Sequence, residues 1–365
     1  MRTDLRTSSW SSTDTLRPAV GEGVVDSDRA RPRFILTIDG GGTRGLIPAL
    51  ILAELERRIG RPLHDCFDLI AGTSTGGIIA AGLTAPSEAD PKRAACTAGD
   101  LVDIYRNESK RIFPHVFGIP LRVPGWPYSA RPLERILAAR VGTRVTTRDA
   151  LTNIVIPAYD LLARKAVFMA GGPDYNRKPG IPERVFPLHI AARATSAAPT
   201  FFKPAAIDDP TKLEPDLLMV DGGVFANDPT IAAIIEGRKL GWHLGDIEIL
   251  SLGTGRSDRP YPSARNWSFL GWVNPFRGVP IFSILMQAGS STISYQARRL
   301  DIAAYDRADF ALPSGDGGLD NSSAAYLAAL TTLAEDWIVA NDAMLTRWAD
   351  KLRTKQSGPP LPLAA

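Results

Sequence analysis

The feature that most constrains the fold is a short apolar run followed at once by a glycine-rich turn, and it occurs three times. Runs of this length and composition indicate buried strands. The strands and their turns are 34–38 before Asp39-Gly40-Gly41-Gly42-Thr43-Arg44-Gly45, 67–71 before Gly72-Thr73-Ser74-Thr75-Gly76, and 217–220 before Asp221-Gly222-Gly223.

Strand and helix patterns alternate along the rest of the chain. Helices are predicted over 46–59, 76–83 and 188–198, from Asn227 to Leu240, and over 281–305 and 323–348; further strands are predicted over 153–158, 166–170 and 247–252. This alternation predicts an α/β protein whose mostly parallel sheet carries helices on both faces.

Composition excludes several sources of chemistry. The 365 residues include 42 basic and 39 acidic side chains, a net charge of +3 that is too balanced to suggest a nucleic-acid polymer as partner. The two cysteines, Cys66 and Cys96, make neither a disulfide framework nor a zinc set. The chemistry must come from something other than bulk charge, cysteine or metal.

The first motif, Asp39 to Gly45, lies between a strand and a helix. Its glycines let several N–H groups approach one ligand atom, and the helix behind adds the positive end of its dipole. Such a loop can hold a phosphate or a developing oxyanion. A dinucleotide-binding site would need an acidic residue at the end of the second strand. This chain instead has Asp65 and Asp68 at or just before the start of that strand. The phosphate loop of actin-like ATPases requires a hairpin where this chain has a helix.

The second motif, Gly72 to Gly76, has the G-x-S-x-G pattern of a nucleophile elbow. A sharp turn from strand to helix lifts the Ser74 hydroxyl clear of the backbone, and small residues on both sides avoid clashes. The start of the helix favours negative charge at Ser74. Ser74 is therefore the candidate nucleophile, and a turn that only caps the helix is the alternative.

The third motif places Asp221 directly after an apolar strand. Since the carboxyl ends of parallel strands share one edge of a sheet, we expect Asp221 beside Ser74 and the glycine loop. The alternative is an Asp-Gly turn in which the carboxylate only bonds its own backbone.

None of the four histidines is well placed to activate Ser74. We expect His64 and His243 at the opposite edge of the sheet, His115 in a proline-rich loop and His189 at the start of a helix. Because a serine nucleophile needs a neighbouring proton acceptor, this leaves a dyad in which the carboxylate of Asp221 takes the proton.

Together DGGGTRG, GTSTG and DGG resemble the patatin-like phospholipase family, as do the segments 195–202 and 251–255. The resemblance implies a three-layer α/β/α sandwich that cleaves lipid acyl esters through a Ser–Asp dyad, with no metal and no cofactor. Ser74 would be the nucleophile and Asp221 the base. The resemblance also implies an oxyanion hole built by Gly40, Gly41, Gly42 and Arg44, with Gly45, Gly72, Gly76, Gly222 and Gly223 supporting the motifs.

The resemblance extends from Phe34 to Gly255 and sets the expected organisation of the chain. We expect a disordered N-terminal arm at 1–30 and a patatin-like catalytic domain at 31–255, with a lid-like loop at 112–132. A C-terminal helical extension at 256–352 should pack on the same domain, followed by a loose tail at 353–365.

The stretch from Lys92 to Arg148 has 11 basic and 4 acidic residues and overlaps the proline-rich apolar loop. A basic and aromatic surface suits an anionic lipid interface, and it could also bind a nucleotide effector, because some relatives are lipid-degrading effectors activated by cyclic nucleotides. A solvated helix face is the alternative.

No apolar run is long enough to span a bilayer, and no secretory signal is found. We expect a cytoplasmic protein that contacts membranes peripherally and hydrolyses phospholipids or other acyl-ester lipids; the rival functions are an actin-like-fold nucleotide-binding kinase and a non-catalytic lipid-binding protein.

Overall fold

The computed structural model of the chain describes residues 31–116, 119–120, 128–178, 184–208, 215–257, 260–272, 279–312 and 318–355. The arm predicted for 1–30, residues 117–118 and 121–127 of the lid-like loop predicted for 112–132, and the segment 356–365 of the predicted tail lie outside these residues. None of the described helices combines the length and the apolar character that a bilayer span needs.

A central sheet of eight strands runs through the described part of the chain in the order β10-β9-β1-β2-β5-β8-β7, with β6 also paired to β5. The strands are β1 Arg33–Ile38, β2 Leu69–Gly72, β5 Asn153–Asp160, β6 Lys165–Gly171, β7 Ala205–Ile207, β8 Leu217–Asp221, β9 Ile247–Leu252 and β10 Ala304–Ala308; a separate small hairpin joins β3 His115–Val116 and β4 Ile119–Pro120. Four pairings in the central sheet are parallel and three are antiparallel.

Helices cover both faces of the sheet. They are α1 Leu46–Ile59, α2 Leu63–Cys66, α3 Thr75–Thr84, α4 Ala98–Ile112, α5 Arg131–Val141, α6 Leu188–Thr195, α7 Thr230–Lys239, α8 Phe269–Trp272, α9 Pro280–Ala297, α10 Ala324–Ala340 and α11 Asp342–Thr354. Leu36 and Ile38 of β1 pack into the larger core, whereas Ile35 packs into the smaller core with residues of α7. Alternate residues of one strand therefore serve two cores, and the predicted α/β/α sandwich is confirmed.

Strands β2 and β8 meet end to end along one edge of β5. Strand β6 pairs with residues 154–160 on the opposite edge. Strand β2 pairs in parallel with 153–155, and β8 pairs antiparallel with 158–160. The last residues of β2 and β8 therefore point toward each other. The expectation that β8 runs parallel to its neighbour is wrong, and the carboxyl end of β8 reaches the end of β2 from the opposite direction.

The C-terminal extension contains a strand as well as helices. Helix α9 ends at Ala297, and residues 304–308 form β10, which pairs in parallel with β9. The helix predicted over 281–305 is therefore wrong in its last part, because pairing with the exposed edge of β9 overrides the local helical pattern. The helix predicted over 323–348 is divided at Asn341 into α10 and α11. Helix α11 continues to Thr354, so the predicted loose tail begins too early.

Helix α11 is held on the sheet by the buried side chain of Trp348. Its ring lies 6.1 Å from that of Phe34 and 6.4 Å from that of Phe67, and its indole N–H donates to Asp306 at 2.9 Å.

We predict that Trp348→Ala lowers the free energy of unfolding by about 3–5 kcal/mol, because it removes a fully buried ring and leaves a cavity. Urea unfolding measures the loss. Val339→Ala on α10 is the control, since Val339 is 77% exposed and its truncation should change stability by less than about 0.5 kcal/mol. Equal effects of the two substitutions would contradict the prediction.

Candidate active site

Ser74 occupies a strained turn between β2 and α3. Its φ of 54° and ψ of −120° lie outside the regions that L-residues usually adopt. A Cβ at Gly72 would lie 2.0 Å from the carbonyl oxygen of Gly76, and a Cβ at Gly76 would lie 2.2 Å from that of Ile38. Glycine is therefore needed on both sides of the turn, and the backbone geometry matches the predicted elbow.

Hydrogen bonds fix the elbow to the neighbouring elements. The N–H of Ser74 donates to the hydroxyl of Thr195 at 2.9 Å, and that hydroxyl donates to the carbonyl of Pro157 at 2.5 Å. The hydroxyl of Thr73 donates to the carbonyl of Ala226 at 2.7 Å. The strained turn is thus held from β5, from α6 and from the loop that follows Asp221, as a stored backbone strain requires.

Asp221 is fully buried at the end of β8. Its Oδ1 accepts the N–H of Gly223 at 2.7 Å, as in the Asp-Gly turn considered as an alternative. Its Oδ2 is buried and has no hydrogen-bond partner among the described residues. Burial raises the pKa of Asp221 to about 7, and the nearby hydroxyl of Ser74 and the N–H of Gly223 oppose this rise.

The side chains of Ser74 and Asp221 lie together. The Ser74 hydroxyl is close enough to favour the ionised carboxyl, but it completes no regular hydrogen bond to Oδ2. Loose geometry of this kind is common in catalytic pairs without substrate. A carboxyl with a pKa near neutrality beside a hydroxyl can accept its proton and return it, which is the task of a general base and acid.

The glycine loop after β1 approaches the elbow closely. A Cβ at Gly40 would lie 3.2 Å from the Cβ of Ser74. The N–H of Gly40 donates to the carbonyl of Asn227, whereas the N–H groups of Gly41 and Gly42 have no acceptor within the described part of the chain. Among the four predicted oxyanion-hole residues, Gly41 and Gly42 therefore have the available backbone donors, and Gly40 provides the close approach.

Arg44 supports the glycine loop through backbone carbonyls. Its Nε donates to the carbonyl of Gly41 at 3.2 Å, and its Nη1 donates to that of Gly255 at 3.3 Å. A Cβ at Gly45 would lie 2.3 Å from the hydroxyl of Thr75, so the loop also packs tightly against the start of α3. These contacts hold the side chain of Arg44 against the backbone of the glycine loop.

A buried ion cluster that sequence reasoning missed lies beneath this loop. The guanidinium of Arg307 on β10 contacts Asp39 at 2.7 Å, Asp228 at 3.1 Å and Asp309 at 3.4 Å, and it donates to the hydroxyl of Ser251 at 2.8 Å. Burial raises the pKa of Asp39 to about 7 against the opposing effect of Arg307. The sequence signal was an arginine inside a short run between Asp306 and Asp309, at a position assigned to no strand.

An apolar cavity opens beside Ser74 and Asp221. Helices α4 and α5 form one wall, and Phe201, Phe202 and Phe282 form much of another. The cavity also includes Gly42 of the glycine loop. An apolar wall with a few polar groups at one place suits an acyl chain whose ester reaches Ser74.

No histidine with a described side chain lines this cavity. His64 is buried on α2, His189 lies at the start of α6, and His243 is exposed after α7. The side chain of His115 lies outside the described part of the chain. Within the described residues, no group of three metal-ligating side chains comes together.

Comparison with known proteins identifies related sequences. The family model described as patatin-like phospholipase matches residues 36–234. Patatin-like protein 1 of Arabidopsis thaliana is 32% identical over 72% of this chain and 69% of its own length, and patatin-like protein 1 of Oryza sativa subsp. indica is 36% identical over the same shares. A protein named cGAMP-activated phospholipase from Vibrio cholerae is 34% identical over 60% of this chain and 63% of its own length.

We predict that Arg307→Met lowers the free energy of unfolding by about 3–5 kcal/mol, because it leaves Asp39 and Asp228 buried without a cation. The loss should be larger at pH 8 than at pH 5, since at low pH the carboxyl of Asp39 is protonated and needs no counter-ion. Urea unfolding at both pH values measures it.

Arg347→Met is the matched control for this substitution. Arg347 on α11 contacts Asp306, which lies on β10 next to Arg307, at 2.7 Å, but the side chain of Arg347 is 51% exposed. A surface pair of this kind contributes less than about 1 kcal/mol. If the two substitutions cost the same at both pH values, the buried cluster does not have the role assigned to it.

Proposed function

Because the chain belongs to the patatin-like phospholipase family, we propose that it is a lipid acyl hydrolase that releases fatty acids from phospholipids through Ser74 and Asp221. The observation that carries this proposal is the meeting of a strained serine elbow and a buried carboxyl with a pKa of about 7 in the wall of one apolar cavity. An actin-like kinase does not fit, since α1 directly follows the glycine loop.

The first step of the proposed reaction forms an acyl-enzyme. Asp221 accepts the proton of the Ser74 hydroxyl as its oxygen attacks the ester carbonyl carbon. The N–H groups of Gly41 and Gly42 stabilise the negative charge that develops on the carbonyl oxygen. One such donor contributes about 3–4 kcal/mol to lowering the barrier. The C–O bond to the alcohol then breaks, and Asp221 returns its proton to the leaving oxygen.

The second step releases the fatty acid. A water molecule attacks the acyl carbon while Asp221 accepts one of its protons, and the bond to Ser74 Oγ breaks as that proton is returned to the serine. Both steps use the same carboxyl, which must be ionised at the start of each. A pKa of about 7 lets Asp221 act as base and acid near neutral pH.

Contact with a membrane surface is part of this proposal, because phospholipids are presented in bilayers. On α9, Phe282 and Met286 line the apolar cavity, whereas Ile281 and Leu285 on the outer side are 42% and 51% exposed. Phe269 of α8 is 77% exposed. An apolar surface beside the cavity supports peripheral binding through which a lipid could enter.

The basic stretch between Lys92 and Arg148 offers a second support for peripheral binding. Helices α4 and α5 line the apolar cavity with one face, and their outer faces expose cations, namely Arg106, Lys110, Arg111, Arg135 and Arg140. These charges suit the anionic surface of a lipid bilayer.

Activation by a cyclic nucleotide is a second candidate function. It is favoured by the 34% identical relative that is named a cGAMP-activated phospholipase. Hydrolysis of liposomes measured with and without cGAMP tests it.

We predict that a fluorophosphonate probe labels the protein covalently and that Ser74→Ala abolishes both labelling and ester hydrolysis. Asp221→Asn should reduce hydrolysis at least about a thousandfold, because the base is lost while the fold is kept. Mass spectrometry locates the label and a p-nitrophenyl ester assay measures the rate.

His243→Ala is the control for this pair of substitutions, since His243 is exposed and does not line the cavity. Its activity should equal that of the unmodified protein. Retention of most activity by Asp221→Asn would exclude the dyad, and loss of activity in His243→Ala would replace it with a triad. Absence of any labelling would favour a non-catalytic lipid-binding protein.

We predict that the rate of fluorophosphonate labelling rises about tenfold between pH 6 and pH 8, because the Asp221 carboxyl must lose its proton to act as base and its pKa is about 7. The slow residual labelling of Asp221→Asn should not follow this profile. If both proteins show the same pH dependence, the titrating group is another one, and Asp39 is the candidate because burial raises its pKa to a similar value.

A further inference from the structure

A second cavity also borders the glycine loop, through Gly40 and Arg44. It is lined by Asp39, Gly40 and Asn227, by the segment 254–257 and by one face of α9. Met286 and Leu319 line both cavities. The second cavity encloses about 2420 Å³ of empty space against about 760 Å³ for the first, open mouths included. The two cavities therefore share part of their wall, and Gly40 of the second lies close to Ser74 of the first, since a Cβ at Gly40 would be 3.2 Å from the Cβ of Ser74.

Helix α9 separates a polar from an apolar environment. Ser283, Gln287, Ser290 and Ser294 follow one another at helix spacing, and all four line the second cavity. Phe282 lies on the other side of the helix and lines the apolar cavity. The proposed hydrolase reaction does not use this polar face.

Cations dominate the ionised groups of this polar cavity. Among the described residues, the charged ones that line it are Arg44, Arg256, Arg298, Arg299 and Arg307, with Asp39 and Asp309 as the acidic ones. Arg307 and Asp39 neutralise each other, and Arg256 lies 3.9 Å from Asp309, which also contacts Arg307. Arg298 lies over the ring of Tyr305 and Arg299 over that of Tyr295, which orients both guanidinium groups without neutralising them.

A buried acceptor without a partner lies at the inner end of the polar cavity. Asn227 is 5% exposed, and its Nδ2 donates to Ser290 at 2.9 Å, while Ser290 donates to Asp39 at 3.0 Å. Because the single hydroxyl proton of Ser290 goes to a carboxylate, the amide of Asn227 must present its N–H to Ser290. Its Oδ1 is left without a hydrogen-bond partner among the described residues.

We propose that the polar cavity binds the phosphate-bearing head group of a glycerophospholipid while the acyl chain occupies the apolar cavity. The arginines at its rim suit a phosphate, and the free Oδ1 of Asn227 suits a hydroxyl donor on the glycerol or head group. A lipid divided in this way has its ester where the two cavities adjoin, next to Ser74. This inference rests on the proposed hydrolase function and assigns the part of that site that holds the head group.

The test compares two soluble substrates that share an acyl chain. Dihexanoyl-phosphatidylglycerol carries the phosphate and p-nitrophenyl hexanoate does not. In the double variant Arg256→Gln/Arg298→Gln, kcat/KM for the phospholipid should fall at least about tenfold, as expected for lost charge-assisted hydrogen bonds. The kcat/KM for the neutral ester should stay within about twofold of the value for the unmodified protein.

A second pair of variants adds charge without removing an arginine. Ser291→Glu places a carboxylate on the wall of the polar cavity, whereas Thr292→Glu places one on the adjacent exposed position of α9 that does not line it. Only Ser291→Glu should slow phospholipid hydrolysis, because its charge repels the phosphate. If Ser291→Glu and Thr292→Glu slow phospholipid hydrolysis equally, the proposal is overturned.

The outcomes separate this inference from the function on which it rests. Equal loss toward both substrates, or no loss toward either, overturns the head-group site while the hydrolase function stands. If the arginine variant keeps its phospholipid kcat/KM but no longer responds to added cGAMP, the cavity binds a free nucleotide and the head-group assignment is overturned. Failure of the unmodified protein to hydrolyse either substrate contradicts the hydrolase function itself.

Discussion

The geometry of the site depends on the ion pairs that the buried guanidinium of Arg307 makes with two aspartates. The guanidinium joins Asp39, directly before the glycine loop, to Asp228, which follows Asn227 in the loop after β8. Because separating these charges would leave carboxylates buried without a partner, the two loops are held at a fixed distance. An oxyanion hole needs this rigidity, since its donors act only if they are in place before the charge develops.

The local chemistry of the motifs could be predicted from the sequence, because it depends on residues adjacent in the chain. The turn at Ser74 needs glycine at 72 because a Cβ there would meet the carbonyl of Gly76 within the same motif, whereas the need for glycine at 76 also involves Ile38 of β1. The expected position of Asp221, by contrast, was derived from a parallel arrangement that does not exist. Asp221 reaches Ser74 because β8 pairs antiparallel with residues 158–160 of β5, on the same edge where β2 pairs only with residues 153–155. Strand direction depends on distant pairing partners, which no local pattern encodes.

The parts of the site that the sequence did not reveal are those that depend on distant residues. Arg307 lies 268 positions after Asp39 in the chain, and its strand begins at Ala304, within the last two residues of the helix that the sequence predicts over 281–305. The unpaired Oδ1 of Asn227 follows from a chain of hydrogen bonds through Ser290 to Asp39. Before the fold is known, an asparagine before Asp-Pro is only a helix cap. The structure places its Oδ1 against Gly40 of the glycine loop and its Nδ2 on Ser290 of α9.

The same fold gives two buried carboxyls a pKa of about 7, yet only one of them is suited to catalysis. Asp39 is enclosed by Arg307 and Ser290, so its oxygens are already engaged. Asp221 has one oxygen held by Gly223 and the other free beside Ser74. Burial without a cation raises its pKa, and the absence of a second firm partner lets it exchange a proton. An aspartate in this setting can do what a histidine does in a triad, because its environment supplies a basicity that an exposed carboxylate lacks.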